Sequence, residues 1–281
     1  MHMPSEVRVL GYVRLGHEPT KVVSLSPVVT EILYLLGVFN KVVGVSSWCF
    51  IPPEVRSRPK VGDYLRVNYE LLKELKPDLI ITSTGIQLGL AKELIDKGFN
   101  VVTVPIPVSV YGVLDNIVMI GSIMGKSLRA MEIASSLSSL INEVMKSKSE
   151  EYLNTYVEIN VGTSITTGSL TYVNSLLNVI GLRNVLEHRR QSFIKVDDEI
   201  INEVKELDPD VIIYEGPLDI EGNLRLWERV VKERSWGSLK AIKSRNLIVL
   251  SRNSLSHYGP SLITTTLPKL NEEVANLPRR H

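Results

Sequence analysis

The sequence predicts an α/β protein built from two similar lobes. First, segments typical of buried strands alternate with amphipathic helical segments, which favours parallel sheets with helices on both faces. Second, the segment "ELKPDLII" around Pro77 is matched by "ELDPDVII" around Pro209, about half of the chain later. Third, 281 residues exceed the commonest size of a single core, so the length favours two domains.

The first lobe begins with "KVVSLSPVVTEILYLLGVFNKVVGV", which is typical of a strand, a helix and a second strand. Ser26 is predicted to cap this helix, Pro27 suits its first turn, and Gly37 ends it. After a proline-rich loop comes "NYELLKELKPDLIITST", a helix that breaks at Pro77 and a strand. The helix "LAKELIDKG" and the strand "VVTVP" complete the predicted alternation.

The second lobe restarts the same order of elements near residue 156. We predict a strand at "YVEIN", a helix at "YVNSLLNVIG" that ends at Gly181, and a helix and strand in "INEVKELDPDVIIYEG". A further helix and strand are predicted in "SLKAIKSRNLIVLS". The two halves are therefore expected to share one architecture.

The segment between the lobes is predicted to be helical and stiff. In "SLRAMEIASSLSSLINEVMKSKSEEYL" the apolar residues recur along one side of a helix, and the glycine and proline of a flexible linker are missing. We therefore expect a lobe at residues 1–108, a helical connection at 109–151 that includes a long bridging helix, and a lobe at 152–281. A stiff connection limits hinge motion, so a largely pre-formed ligand cleft between the lobes is expected.

The composition excludes several classes of function. The formal net charge is +1, so no long-range field would attract nucleic acid, and we expect no nucleic-acid partner. The single cysteine, Cys49, cannot form an intramolecular disulfide or supply the paired thiolates of a zinc site. The apolar stretches are too short to span a membrane, and the first twenty residues lack the pattern of a signal peptide.

Motifs of catalysis are also missing. No glycine-rich phosphate loop follows a predicted strand, and the sequence has no HExxH, CxxC or nucleophile-elbow pattern. The five histidines are scattered. We therefore expect a protein that is not an enzyme and that has neither a catalytic cofactor nor a metal site of its own.

Four segments together resemble one family. "KVVSLSPVVTEILYLLG", "KVVGVSSWCFIPPE", "KVGDYLRVNYELLKELKPDLII" and "TTGSLTYVNSLLNVIGLRNV" are similar, in this order, to the substrate-binding proteins of ABC importers for cobalamin, iron-siderophores and haem. The cobalamin-binding branch is the most similar. The resemblance implies two Rossmann-like lobes bridged by a long rigid helix, with a corrinoid bound in the cleft as a ligand.

The resemblance also implies a set of ligand-binding residues. Aromatic side chains from both lobes hold the corrin in cobalamin-binding members, and these positions correspond to Trp48, Tyr64 and Phe193. Polar contacts near the last strand correspond to Asn253 and His257. Cys49, beside Trp48, is expected to pack inward as a small apolar residue.

The same resemblance implies docking to an ABC permease dimer through one acidic residue in each lobe. Glu70 occupies this position in the first lobe, seven residues before Pro77. The corresponding position before Pro209 is Asn202, so Glu203, or Glu199 if the helix begins differently, is the candidate in the second lobe. The family implies an extracytoplasmic, membrane-associated monomer. Without a visible signal peptide, a cytoplasmic location is the alternative.

Three other functions stay open at this point. A siderophore or haem binder of the same fold would use cationic or tyrosine ligands, for which Arg66, Arg252 and Tyr258 are candidates. An enzyme of tetrapyrrole metabolism, such as a metal chelatase, would need His257 opposite a carboxylate. A cytoplasmic corrinoid-binding protein would have the same ligand but no role in transport.

Overall fold

The computed structural model describes residues 15–148 and 151–278. The chain divides into two compact units, one of Met1–Ile106 with Val113–Ser136 and the other of Pro107–Gly112 with Leu137–His281. In the described ranges, no helix combines the length and the apolar character needed to cross a membrane. The stretch "MHMPSEVRVLGYVR", on which the signal-peptide expectation falls, lies outside the described residues, as do residues 149–150 of the predicted connection.

The first unit contains a five-stranded, fully parallel sheet in the order β3-β2-β1-β4-β5. Its strands and helices are β1 (Val22–Ser24), α1 (Pro27–Leu35), β2 (Val42–Ser46), β3 (Lys60–Gly62), α2 (Tyr69–Leu75), β4 (Leu79–Ser83), α3 (Leu88–Asp96) and β5 (Val101–Val104). The predicted alternation is confirmed. The short edge strand β3 was not predicted.

Helix α1 begins and ends where the sequence indicates. Ser26 holds the extended backbone of an N-cap and Pro27 occupies the first turn, but the Ser26 side chain makes no capping hydrogen bond. Gly37 adopts a left-handed φ of 73°, and Val38 N–H donates to the carbonyl of Leu33. Glycine adopts this conformation at no steric cost, which explains why the helix stops there.

Two helices follow the first sheet, α4 (Val110–Ile123) and α5 (Ser127–Ser147). The predicted apolar side of α5 is present, with Ala130, Leu137 and Ile141 buried. By its contacts, Ser127–Ser136 of this helix belongs to the first unit and the rest belongs to the second.

The second unit contains a mixed sheet in the order β11-β10-β6-β7-β9, and β8 pairs with β6. Its elements are β6 (Leu153–Asn160), β7 (Ser164–Thr167), α6 (Tyr172–Val179), β8 (Leu182–Asn184), β9 (Phe193–Lys195), α7 (Asp198–Leu207), β10 (Val211–Glu215), α8 (Ile220–Glu233), α9 (Lys240–Lys243), β11 (Leu247–Leu250) and α10 (Leu267–Ala275). Strand β7 runs antiparallel to β6 and β9. Strands β7, β8 and β9 were not predicted, and the antiparallel pairs of β7 make this sheet mixed where a parallel sheet was expected. The predicted strands β6, β10 and β11 do pair in parallel, and the α/β class holds.

The repeated "PD" motif makes the same contacts in both units. The residue before each proline is left-handed and ends its helix. The side-chain amide of Asn100 donates to the carbonyl of Asp78 at 3.2 Å, and that of Asn246 donates to the carbonyl of Asp210 at 3.0 Å. The similarity that the sequence shows around Pro77 and Pro209 is thus a similarity of structure.

Candidate ligand-binding site

The first unit presents an aromatic pair at the carboxyl ends of its strands. Trp48 follows β2 and Tyr64 follows β3, and these two strands are neighbours in the sheet. Their rings are stacked, with centroids 5.9 Å apart and an interplanar angle of 21°. Trp48 is 60% exposed. The carboxyl edge of a parallel sheet is the usual position of ligand sites in α/β proteins, so the pair is well placed to bind a flat ligand.

The backbone around Tyr64 is fixed by Asp63 and Gly62. The Asp63 carboxylate accepts hydrogen bonds from Leu65 N–H at 2.7 Å and Arg66 N–H at 2.8 Å, and these bonds lower its pKa. A Cβ at Gly62 would lie 2.1 Å from the carbonyl oxygen of Arg66, so only glycine fits. This turn fixes the backbone that places Tyr64 against Trp48.

Cys49 packs inward beside this pair, as predicted. It is 5% exposed, and its Sγ lies 3.1 Å from Thr30 Oγ1. Thr30 in turn hydrogen-bonds to Ser24 Oγ at 2.7 Å. Burial raises the pKa of the Cys49 thiol, so it is a poor nucleophile at neutral pH. Among the described residues, no group of three or more His, Cys, Asp and Glu side chains could hold a metal ion.

Further apolar side chains on loops at this edge were not predicted as ligand contacts. Leu65 after β3 is 63% exposed, and Ile86 after β4 is 68% exposed. Gln87 fixes the β4 loop, because its side chain accepts from Ser83 N–H at 2.8 Å and donates to the carbonyl of Leu25 at 3.0 Å. For Ile86 the signal in the sequence was a large apolar residue shortly after the predicted strand "LIIT", whereas Leu65 follows β3, which was not predicted.

In the second unit, Phe193 belongs to an aromatic cluster. It is 36% exposed and starts β9, and its ring meets that of Tyr172 edge to face at 6.1 Å. Tyr172 also lies 5.5 Å from Tyr258, and its hydroxyl donates to the carbonyl of Leu255 at 2.6 Å. Sequence reasoning missed Tyr172, although it opens the predicted helix "YVNSLLNVIG". Phe193 and Tyr258, which was named only for the alternative ligands, therefore share Tyr172 as a neighbour.

The loop before Phe193 is held by the segment that begins at Gly168. Gly168 N–H donates to the carbonyl of Ser192 at 2.9 Å, and Leu170 N–H donates to that of Gln191 at 3.0 Å. A Cβ at Gly168 would lie 2.4 Å from the carbonyl oxygen of Arg189, which explains the glycine. These contacts fix where β9 begins.

The two polar candidates of the last loop differ in exposure. Asn253 is exposed and has a left-handed φ of 63°, whereas His257 is 5% exposed. Asn253 is thus the better placed of the two to reach a ligand at the surface. Arg66 and Arg252, the cationic candidates for a siderophore or haem, are both exposed.

The candidate docking acids lie on α2 and α7. The Glu70 side chain is 84% exposed. Glu203 is only 18% exposed and is paired with His188 at 2.7 Å and with Arg189 at 2.5 Å. Glu199 also contacts Arg189, at 2.5 Å, but is 71% exposed. Hydrogen bonds to Glu203, and then to Glu199, raise the pKa of Arg189.

The acid of α7 that corresponds to Glu70 depends on whether positions are counted from the start of the helix or from the proline that follows it. Glu70 is the second residue of α2, which Asn68 caps, and Glu199 is the second residue of α7, which Asp197 caps. Helix α7 is three residues longer than α2, so counting back from the proline reaches Asn202 instead. Because Glu203 is engaged in an internal ion cluster, Glu199 is the more accessible acid.

Comparison with known proteins defines the family. The model for the periplasmic binding protein family matches residues 22–253. The uncharacterized ABC transporter substrate-binding lipoprotein YvrC of Bacillus subtilis (strain 168) is 33% identical over 260 residues, which cover 89% of this chain and 79% of the relative. The chain therefore belongs to the periplasmic binding protein family. It is the substrate-binding component of an ABC transporter, and the proteins of this family are transport proteins and not enzymes.

More distant matches include proteins that are named for their ligands and solved structures that share the fold. A cobalamin-binding protein of Halobacterium salinarum is 23% identical over 206 residues, which are 72% of this chain and 55% of the relative. The solved periplasmic vitamin B12 binding protein BtuF of Vibrio cholerae matches with a TM-score of 0.75 at 19% identity, over 93% of this chain and 99% of that one. Solved periplasmic haem-binding proteins share the fold as well. The predicted α/β fold is confirmed.

Proposed function

We propose that the protein binds a corrinoid and delivers it to an ABC importer. The stacked pair of Trp48 and Tyr64 at the carboxyl edge of the first sheet carries this proposal. A corrinoid offers a broad apolar ring face together with neutral peripheral amides, so it suits aromatic side chains better than a cluster of cations. Phe193, Asn253 and His257 are the candidate contacts of the second unit.

Location and partner follow from the same proposal. A relative that is 33% identical is a lipoprotein, and this supports an extracytoplasmic, membrane-associated protein that docks as a monomer onto a permease dimer. We also propose that residues 109–151 form the connection between the two lobes, with α5 as its long helix.

A ligand titration tests the proposed function. Of the three tryptophans, Trp227 and Trp236 are buried and Trp48 is 60% exposed, so Trp48 is the one that a ligand at the surface can contact. We expect cyanocobalamin to quench the fluorescence and to give saturable binding heat with a Kd of about 10 µM or below. Haemin and a ferric hydroxamate are titrated in parallel. Tighter binding of either would make that compound the proposed ligand. No response to cyanocobalamin at several times that concentration would reject a corrinoid as the ligand.

The docking proposal predicts a defect in transport without a defect in ligand binding. We propose that Glu70 and Glu199 pair with cations on the permease. Glu70→Lys and Glu199→Lys should each reduce cobalamin uptake about tenfold in native cells that carry the variant as their only copy, because reversing the charge replaces an attractive contact with a repulsive one. The Kd for cyanocobalamin should stay unchanged.

Two variants serve as controls for docking. Glu221→Lys reverses an 81% exposed acid on α8 and should leave uptake normal. Glu203→Gln alters the acid that is paired with His188 and Arg189. If Glu203→Gln abolished uptake in a folded protein while Glu199→Lys had no effect, the original assignment to Glu203 would be correct.

A further inference from the structure

A buried carboxylate organises the loop at residues 251–258, which bears Asn253 and His257. Glu215, the last residue of β10, is 1% exposed. Its carboxylate accepts hydrogen bonds from the backbone N–H groups of Asn253 and Ser256, each at 3.1 Å. It also accepts from Leu255 N–H and from the Ser256 hydroxyl. All four donors therefore come from one stretch of the loop.

This arrangement ties the cost of burying Glu215 to the conformation of the loop. Burial raises the pKa of Glu215, and the hydrogen bonds from Ser256, Leu255 and Asn253 oppose that rise. A buried carboxylate is tolerated in a fold only when donors satisfy its oxygens. Here the donors are assembled only when residues 253–256 wrap around the carboxylate, with Asn253 in its left-handed conformation.

The carbonyl groups of Ser254 and Leu255, in the same loop, are bound by side chains from other elements. Leu255 is fully buried, with its N–H bound to Glu215 and its carbonyl bound to the Tyr172 hydroxyl. Thr266 Oγ1 donates to the carbonyl of Ser254 at 2.9 Å. Because the Tyr172 ring also packs against Phe193, the loop and the aromatic cluster share one support.

We propose that Glu215 is a positioning residue for ligand binding. Its carboxylate holds residues 253–256 in the conformation that presents Asn253 to the ligand. This inference rests on the proposed corrinoid-binding function. It adds a residue that does not contact the ligand and that acts through the loop it holds.

The test is Glu215→Gln, read out by amide hydrogen exchange and by cyanocobalamin binding. Glutamine keeps the size of the side chain but replaces one acceptor oxygen with an NH2 group that cannot accept a hydrogen bond. Without ligand, protection at residues 253–256 should fall about tenfold or more, because hydrogen bonds to an ionised acceptor are the strong ones. Affinity for cyanocobalamin should fall as well, but by no more than the loss of protection, because only molecules whose loop has left this conformation are lost to binding.

Glu158→Gln is the matched control. Glu158 is the other fully buried carboxylate of this sheet, but it is bound to Arg234 and Tyr156. This variant should lower stability while leaving both the protection of residues 253–256 and the ligand affinity unchanged. Ser256→Ala removes one donor to Glu215 and should produce a smaller defect of the same kind, which keeps the test available if Glu215→Gln fails to fold.

The outcomes separate this inference from the proposed function. Unchanged protection of residues 253–256 in Glu215→Gln would overturn the positioning role. The role would also be overturned if Glu215→Gln bound cyanocobalamin as tightly as Glu158→Gln does. If the wild-type protein binds no cyanocobalamin, the corrinoid assignment is wrong. The exchange measurement then still decides whether Glu215 holds the loop.

Discussion

Replacing Trp48 with alanine is expected to weaken corrinoid binding by about 10- to 100-fold, the range for losing an aromatic anchor at a binding surface. The indole is 60% exposed and stacks on Tyr64, so it contributes more contact area to a ligand than to the core. Stability should therefore change little. Calorimetric titration with cyanocobalamin gives the affinity, and chemical denaturation gives the free energy of unfolding.

Two variants make this prediction specific. Trp48→Phe keeps an aromatic ring and should lose only part of the affinity. Tyr34→Ala removes a 43% exposed aromatic side chain near the end of α1, the end of the helix away from the carboxyl edge of the sheet, and should bind normally. If folded Trp48→Ala bound cyanocobalamin with the same affinity as the wild type, the aromatic pair would not be part of the binding site.

Most of the fold was predictable because its elements carry strong local signals. Buried strands and amphipathic helices alternate, and Gly37 and Pro77 end helices for steric reasons that act within a few residues. The edge strand β3 buries only Val61, so it lacks the apolar run that marked β1, a strand of the same length. The antiparallel direction of β7 is set by its pairing with β6, which a local pattern does not encode. Helix α8 was also missed, although its amphipathic pattern and the cap at Asp219 were available.

The site was predicted less completely because it depends on contacts between distant residues. Trp48 and Tyr64 were both named, yet their stacking follows from the pairing of β2 with β3, and β3 was not predicted. Glu203 was chosen over Glu199 by counting from Pro209, and the extra length of α7 became visible only in the structure. Their roles in binding and docking stay predictions until they are measured.

Replacing Arg234 with methionine is expected to destabilise the second unit by about 3–5 kcal/mol, because it leaves a buried carboxylate without its counter-ion. Glu158 is fully buried and receives two hydrogen bonds from Arg234, at 2.6 and 2.9 Å, and one from the Tyr156 hydroxyl at 2.8 Å. The Arg234 guanidinium also lies 4.8 Å from the centre of the Trp236 ring. Methionine keeps part of the packing and removes the charge.

The measurement has to isolate the second unit, because two compact units need not unfold together. In a Trp48→Phe background, only the buried Trp227 and Trp236 report on denaturation, and both belong to the second unit. Arg183→Met breaks the exposed pair with Glu187 and should cost less than about 1 kcal/mol. Combining Arg234→Met with Glu158→Gln removes both charges and should recover much of the loss, since an amide still accepts from Tyr156. If the double variant were as unstable as Arg234→Met alone, lost packing of the arginine, and not its charge, would explain the effect.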